Sequence, residues 1–383
     1  MALLENIEMK LLFICSNNFQ TLPGGGGSKC TNRNYLSFCD ILGKDSVDVI
    51  QLATPLKKNL SSILSRFRNY SKGYNAGLSQ KVIISILERS LKYNYIFIDS
   101  SYYGIICKCL KKNNYKGQII CFFHNVEHKM HLQQAKASPF NFWRNFIIYH
   151  NEKSAVKFSD QVIVLNERDL MDLDEIYKLP HISTHIIPIS FKDSYHLEKI
   201  NLQEQTIIPP VFLFVGSDWF ANIHGITWFV EEILDHVDIK LQIAGGASNV
   251  LKKKFINSKI QFLGFVPDLA SVIVNADFIL APLFKGGGMK VKICEALMYG
   301  KNIVGTKEAF MGYDLDLQQT GAECNNKSDF IRVLNECSSS KRQKFNIYNR
   351  NRFLESYSFT STLEKFKRVL EKSDVPASKE TPH

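Results

Sequence analysis

The sequence predicts an α/β protein: two Rossmann-like, doubly wound parallel-sheet domains facing each other across a cleft. Three observations carry this. Short apolar, β-branched runs alternate with longer amphipathic stretches, the pattern of parallel strands covered by helices on both faces. The alternation lapses in a polar stretch containing Pro209-Pro210 and then restarts. And 383 residues correspond to two domains at ~100–200 residues each.

In chain order, the first half offers strands at 10–16, 47–53, 95–101, 118–125, 161–166 and 185–189, with helical patterns between them such as 81–93. The second half offers strands at 211–217, 239–245, 260–266, 277–283 and 302–306. The expected division is a first Rossmann-like domain over 1–190, a linker over 191–210 and a second over 211–359. A helix at 360–372 is free to pack on either domain, and the tail 373–383 reads as disordered. Open α/β sheets bind ligands beyond the carboxyl ends of their strands, so a cleft between two such sheets is the expected site.

The net charge of +10 is unevenly placed. Residues 1–190 hold 23 Lys+Arg against 15 Asp+Glu, and the remainder 24 against 22, so the excess lies in the first half and favours an anionic partner. No helix-turn-helix, RRM or zinc signature accompanies it, which argues against nucleic acid. The nine cysteines lack regular spacing and several sit in apolar runs (Cys15, Cys121), as reduced core residues of a cytoplasmic protein do. No metal is expected. The opening MALLENIEMK has no apolar stretch long enough for a signal peptide, and no window approaches the ~18–20 apolar residues of a membrane span.

Two glycine loops follow strands. Gly25, Gly26 and Gly27 come after the first, before a helix expected from Ser28. They let the backbone approach an anion near a helix N-terminus, although a flexible surface turn accounts for them equally. Gly286-Gly287-Gly288 follow the 277–283 strand and lead into a helix that Gly300 closes. The amides of 287–290, including those of Gly287, Gly288 and Met289, with Lys290 and Lys292 beside them, make a seat for pyrophosphate. Glu295 lies two turns on, among Val291, Met298 and Tyr299. A ribose diol would partner it there, as would a lysine or solvent.

The segment 286–306, with VFLFVGSDWFANIHGITWFVEEIL (211–234) and GFVPDLASVIVNADFILAPL (264–283), resembles the retaining glycosyltransferases of the GT-B group known as family 4 (glycosyl transferases group 1). The resemblance implies that Glu295 binds the donor ribose and the glycine turn the donor phosphates. It places Phe265 and Val266 against the base, and Gly216 in the turn opening the C-terminal domain. His124, closing QIICFF (118–123), would face the transferred sugar. This chain also departs from the family. Gly287 stands where many members have Glu. The stretch 217–224 lacks the usual Arg and Lys, leaving Asn222 and His224 as substitutes and shifting the charge role to Lys290 and Lys292.

The expected reaction moves a sugar from a nucleotide-diphosphate donor to a hydroxyl acceptor with retention. The resemblance implies same-face attack, the leaving phosphate helping to deprotonate the acceptor, without cofactor or metal. No carboxylate pair at a readable spacing suggests a double displacement. The acceptor is expected to be a saccharide or lipid-linked saccharide of a bacterial surface polysaccharide such as capsule or lipopolysaccharide. The basic stretch 56–74 and the aromatic 138–150 would contact an anionic membrane at the inner face of the plasma membrane. A GT-B UDP-sugar 2-epimerase and a non-catalytic nucleotide-sugar-binding subunit are the competing readings.

Overall fold

A computed structural model describes residues 9–16, 26–52, 68–75, 77–134, 139–179, 182–195, 209–339 and 343–371. Gly25, most of the 56–74 stretch, most of 191–210 and the 373–383 tail lie outside the described residues. The chain forms two compact units, Met1–Pro188 with Thr362–His383, and Ile189–Ser361.

The first unit is built on a six-stranded parallel sheet. Its strands are β1 (Leu11–Cys15), β2 (Val47–Gln51), β3 (Tyr95–Ile98), β4 (Gln118–Phe122), β5 (Gln161–Val164) and β6 (Ser183–Ile186), in the order β2-β1-β3-β4-β5-β6. All of β1 and β3 is buried, because helices cover both faces. Phe13, Phe38 and Phe97 pack ring on ring, with Phe13 and Phe97 stacked at 5.1 Å. The chain's last helix, Phe359–Glu371, completes this core. Phe366 meets Phe38 at 5.3 Å, and Gln161 Nε2 donates to the Val369 carbonyl at 2.9 Å.

The second unit repeats the plan with β7 (Val211–Val215), β8 (Lys240–Ala244), β9 (Ile260–Gly264), β10 (Phe278–Ala281), β11 (Asn302–Gly305) and β12 (Gly321–Glu323). The order is β12-β11-β10-β7-β8-β9, all parallel. The sequence pattern misses β12, which is three residues long and only half-buried at the sheet edge. The described parts of the expected linker, 191–195 and 209–210, belong to this unit: Phe191 bridges to Ser358, and Asp193 pairs with Arg350.

In both sheets the chain starts centrally, builds one way, then returns to the other side of its first strand. The order therefore reverses between β1 and β3, and between β7 and β10. The loops beyond these strand ends are where a doubly wound sheet leaves room for a ligand. Several strands end earlier than the sequence pattern suggests. β3 stops at Ile98 because the Ser100 side chain accepts from Tyr102 N and starts a 3-10 turn. Among the described residues no helix is long and apolar enough to cross a membrane.

Candidate functional site

In the second unit the loops after β7 and β10 bring together most of the expected residues. Gly216 ends β7: its N–H donates to the Ala244 carbonyl at 3.0 Å and its carbonyl accepts from Ala247 N. The helix Phe220–Glu232 follows. Asn222, in its first turn, is buried and donates through Nδ2 to the Ser217 carbonyl and hydroxyl, both at 3.3 Å. Its Oδ1 accepts from Lys292 Nζ at 2.9 Å, and that ammonium also lies 3.9 Å from the centre of the Phe214 ring. Burial, then the charge of Lys290, pull the Lys292 pKa down to about 7 against the opposing pull of Glu295. Asn222 and Lys292 thus link the β7 loop to the helix Val291–Met298.

His224 does not join them. Two residues along a helix is more than half a turn, so it faces elsewhere than Asn222. It is exposed and lies beside Phe284, ring centres 6.5 Å apart. Burial and the nearby Lys285 lower its pKa.

The glycine turn departs from ordinary backbone at Gly286 (φ 130°) and Gly288 (φ 57°), conformations that a side chain resists. Among the described residues, the N–H groups of Gly287, Gly288 and Met289 find no acceptor. Gly288 and Met289 are buried residues, and donors at such positions call for a partner. Lys290 is buried beside the turn. Its Nζ donates to the carbonyls of Gly287 (3.2 Å) and Gly288 (3.0 Å) and to Glu308 Oε1 (2.8 Å). The ammonium thus joins two carbonyls of the turn to a carboxylate on the helix Lys307–Phe310. Glu295 is buried, and its charge acts on Lys292, Tyr299 and Tyr313. Beyond β9, Phe265 projects a 65 % exposed ring with Val266 half-buried beside it. Gly264, just before, is held by Ser248 Oγ on its N–H and by Gly245 N on its carbonyl.

In the first unit Gly26 and Gly27 open the helix Gly26–Leu42, two residues before the expected start. A side chain at Gly27 would meet nothing within 4 Å, so the fold itself does not demand glycine there. Below them, Asp99 ends β3 fully buried and accepts from Thr31 Oγ1 (2.5 Å), Asn34 Nδ2 (2.6 Å) and His124 Nε2 (3.2 Å). His124 Nε2 also lies 2.8 Å from the Asp99 carbonyl, and its ring meets Phe122 edge to face. Burial alone would lower its pKa, but the Asp99 carboxylate and Cys30 outweigh that and hold it well above the usual histidine range. Asp99 thus fixes the His124 ring through Nε2 and favours its protonated form.

Sequence reasoning missed Asp99, although an acid closing the apolar YIFI run at a strand's carboxyl end was a usable signal. It also missed Glu308 and Trp219; a side chain on Gly286 would come within 3.3 Å of the Trp219 ring. A further polar cluster lies beyond β4. Glu152 accepts from the N–H of Glu127 (2.8 Å) and His128 (3.0 Å), from Ser101 Oγ and from Tyr177 OH. Burial and then the Glu127 charge raise it to about 7. Glu127 accepts from Tyr102 OH at 2.6 Å. No signal in the sequence spacing ties Glu127 to Glu152, which sits 25 residues on.

Residues 209–335 match the family model described as glycosyl transferases group 1. No curated protein matches the sequence. Among solved structures the chain is similar to sucrose-phosphate synthase from Thermosynechococcus elongatus. That match has a TM-score of 0.71 at 13% identity over 95% of this chain and 98% of that one. It is also similar to Anabaena HepE in complex with UDP-glucose, at 0.66 and 13% identity over 95% of this chain and 100% of that one. A glycosyltransferase from Rickettsia africae matches at 0.60 and 15% identity over 97% of this chain and 100% of that one. At these identities the likeness establishes the fold shared with them.

Proposed function

Taking the chain as a glycosyltransferase of the GT-B fold with a glycosyl transferases group 1 domain at 209–335, we propose that it transfers a sugar, with retention, from a nucleoside-diphosphate donor held by the second unit. The observation carrying this reading is the turn after β10. Three N–H groups there, at Gly287, Gly288 and Met289, have no partner among the described residues, and a buried carboxylate, Glu295, follows one turn into the adjoining helix. Unpaired amides suit phosphate oxygens. A carboxylate accepts both hydroxyls of a ribose. The exposed ring of Phe265 offers a face for the base, beside Val266. The UDP and UDP-glucose in the HepE structures favour a uridine nucleotide as the first donor to test.

In this reading the C1–O bond to the donor diphosphate breaks as the acceptor oxygen bonds C1 from the same face. The acceptor's proton passes to the departing phosphate oxygen. Negative charge grows on the diphosphate, and preorganised amides stabilise it without reorganising. Lys292 adds positive charge beside them, with Asn222 orienting its ammonium. These groups supply what the leaving group needs without a metal ion. His124, fixed and charged, is assigned to the hydroxyls of the transferred sugar, and Gly26 and Gly27 to its approach.

The acceptor we assign is a hydroxyl of a saccharide or lipid-linked saccharide of a bacterial surface polysaccharide, reached at the cytoplasmic membrane face. Phe142 (71 % exposed) and Trp143 (63 % exposed) stand out on the helix Pro139–Phe158 next to the exposed Arg144, with the exposed Lys153 further along the same helix. Aromatic rings among cations suit an anionic lipid surface. The decisive assay supplies UDP-sugars with lipid-linked saccharide acceptors and follows product by NMR. An α-linked product from an α-configured donor supports the reading. Inversion at C1, or an epimerised donor formed without acceptor, overturns it.

A further inference from the structure

The assignment of Lys290 away from the ligand raises the question of what its ammonium does. Its Nζ bonds the carbonyls of Gly287 and Gly288 together. In a trans peptide the C=O and N–H of one plane point opposite ways. The Gly287 carbonyl shares its plane with the Gly288 N–H, and the Gly288 carbonyl with the Met289 N–H. Drawing both carbonyls onto one ammonium therefore turns both N–H groups away from it. These are two of the turn's three N–H groups that find no partner among the described residues.

The ammonium is itself held. Glu308, in the short helix after β11, accepts from it at 2.8 Å with both side chains largely buried. Thr306 caps that helix by accepting from Ala309 N, and its hydroxyl also donates to the Leu283 carbonyl at the end of β10. Tyr313 OH donates to the Lys290 carbonyl at 2.8 Å. The turn is thus tied at its side chain and its main chain to the segment that follows β11. Glycines at 286 and 288 supply the backbone freedom; Lys290 and Glu308 remove it.

We infer that Lys290 and Glu308 form a clamp that sets the orientation of the glycine-turn amides, making both of them positioning residues for the donor diphosphate rather than ligands of it. The inference rests on the reading of the turn as a diphosphate site. It separates from direct phosphate contact by the sign of one substitution. Were Lys290 a phosphate ligand, Glu308→Gln would release its ammonium and binding would hold or tighten. As a clamp, it loosens.

The test is calorimetric binding to the full chain, using UDP, GDP and ADP and their nucleosides. Glu308→Gln keeps shape and size, and thermal melting checks that it folds. The expected result is about tenfold weaker diphosphate binding with nucleoside binding unchanged, and the same pattern in Lys290→Met with recovery in Lys290→Arg. Unchanged or tighter diphosphate binding by Glu308→Gln overturns the clamp and leaves the site standing. Equal losses for nucleoside and diphosphate overturn it too, because the effect would then lie in the whole unit. A wild-type chain that binds no nucleoside diphosphate overturns the reading and the clamp together.

Discussion

At Lys292, burial and the Lys290 ammonium act in the same direction and bring the pKa down to about 7, while Glu295 opposes them. A bound diphosphate favours the charged lysine. Below pH 7 the ammonium is already protonated, so binding is tightest there. Above pH 7 a proton must be taken up on binding, and affinity should fall by up to about tenfold per pH unit. Measuring nucleotide affinity from pH 6 to 9 in wild type and Lys292→Met checks this. The variant should show a flatter profile; parallel profiles would remove Lys292 from the site. His124 carries the complementary expectation. Asp99 raises its pKa, so Asp99→Asn should lower it. Turnover that needs the imidazolium should then lose its alkaline limb at lower pH than in wild type. An unshifted pH profile would assign Asp99 and His124 to the fold alone.

Among the elements, the helix Val291–Met298 shows best how far the residues could be read beforehand. Gly300 was legible as its closing residue, and it stands at φ 58° one residue past the cap. A Cβ there would lie 2.5 Å from the Phe345 ring. Gly300→Ala should therefore cost about 2–4 kcal/mol, combining left-handed strain with a clash. Chemical denaturation measures it, and a loss below ~1 kcal/mol would mean the Phe345 ring yields freely. β6 was expected late, at 185–189, because its STHI run is half polar, but most of the other longer strands were legible as apolar runs. The twelfth was not: Gly321–Glu323 is stabilised by pairing with β11, which no local pattern reports. At the site, Glu295 and the glycine turn announced themselves through spacing, since both lie within one loop and helix. The Lys290–Glu308 pair spans 18 residues and the Asp99–His124 pair 25. Such partners meet only when parallel strands bring their carboxyl ends side by side, so sequence spacing could not reveal them. Nor could spacing show that the Lys290 ammonium meets the carbonyls of Gly287 and Gly288.

Across the whole molecule, the excess of positive charge belongs to residues 1–190, the same part of the chain that presents Phe142 and Trp143 to solvent. Charge and exposed rings together argue for an anionic lipid surface. Sedimentation with vesicles should show binding to phosphatidylglycerol that salt weakens, and a marked loss in Phe142→Ser/Trp143→Ser. Equal, negligible binding to anionic and neutral vesicles would discard the membrane assignment without touching the donor site. That site, in the second unit, carries the functional account. Its most direct test compares the tightest-binding nucleoside diphosphate with its 2′,3′-dideoxy analogue in wild type and Glu295→Ala. A carboxylate that holds the ribose should give wild type a preference of about tenfold or more for the ribose form, from hydrogen bonds to a charged acceptor. Glu295→Ala should abolish that preference. The same ribose preference in both proteins, or no nucleotide binding by wild type, would contradict the account.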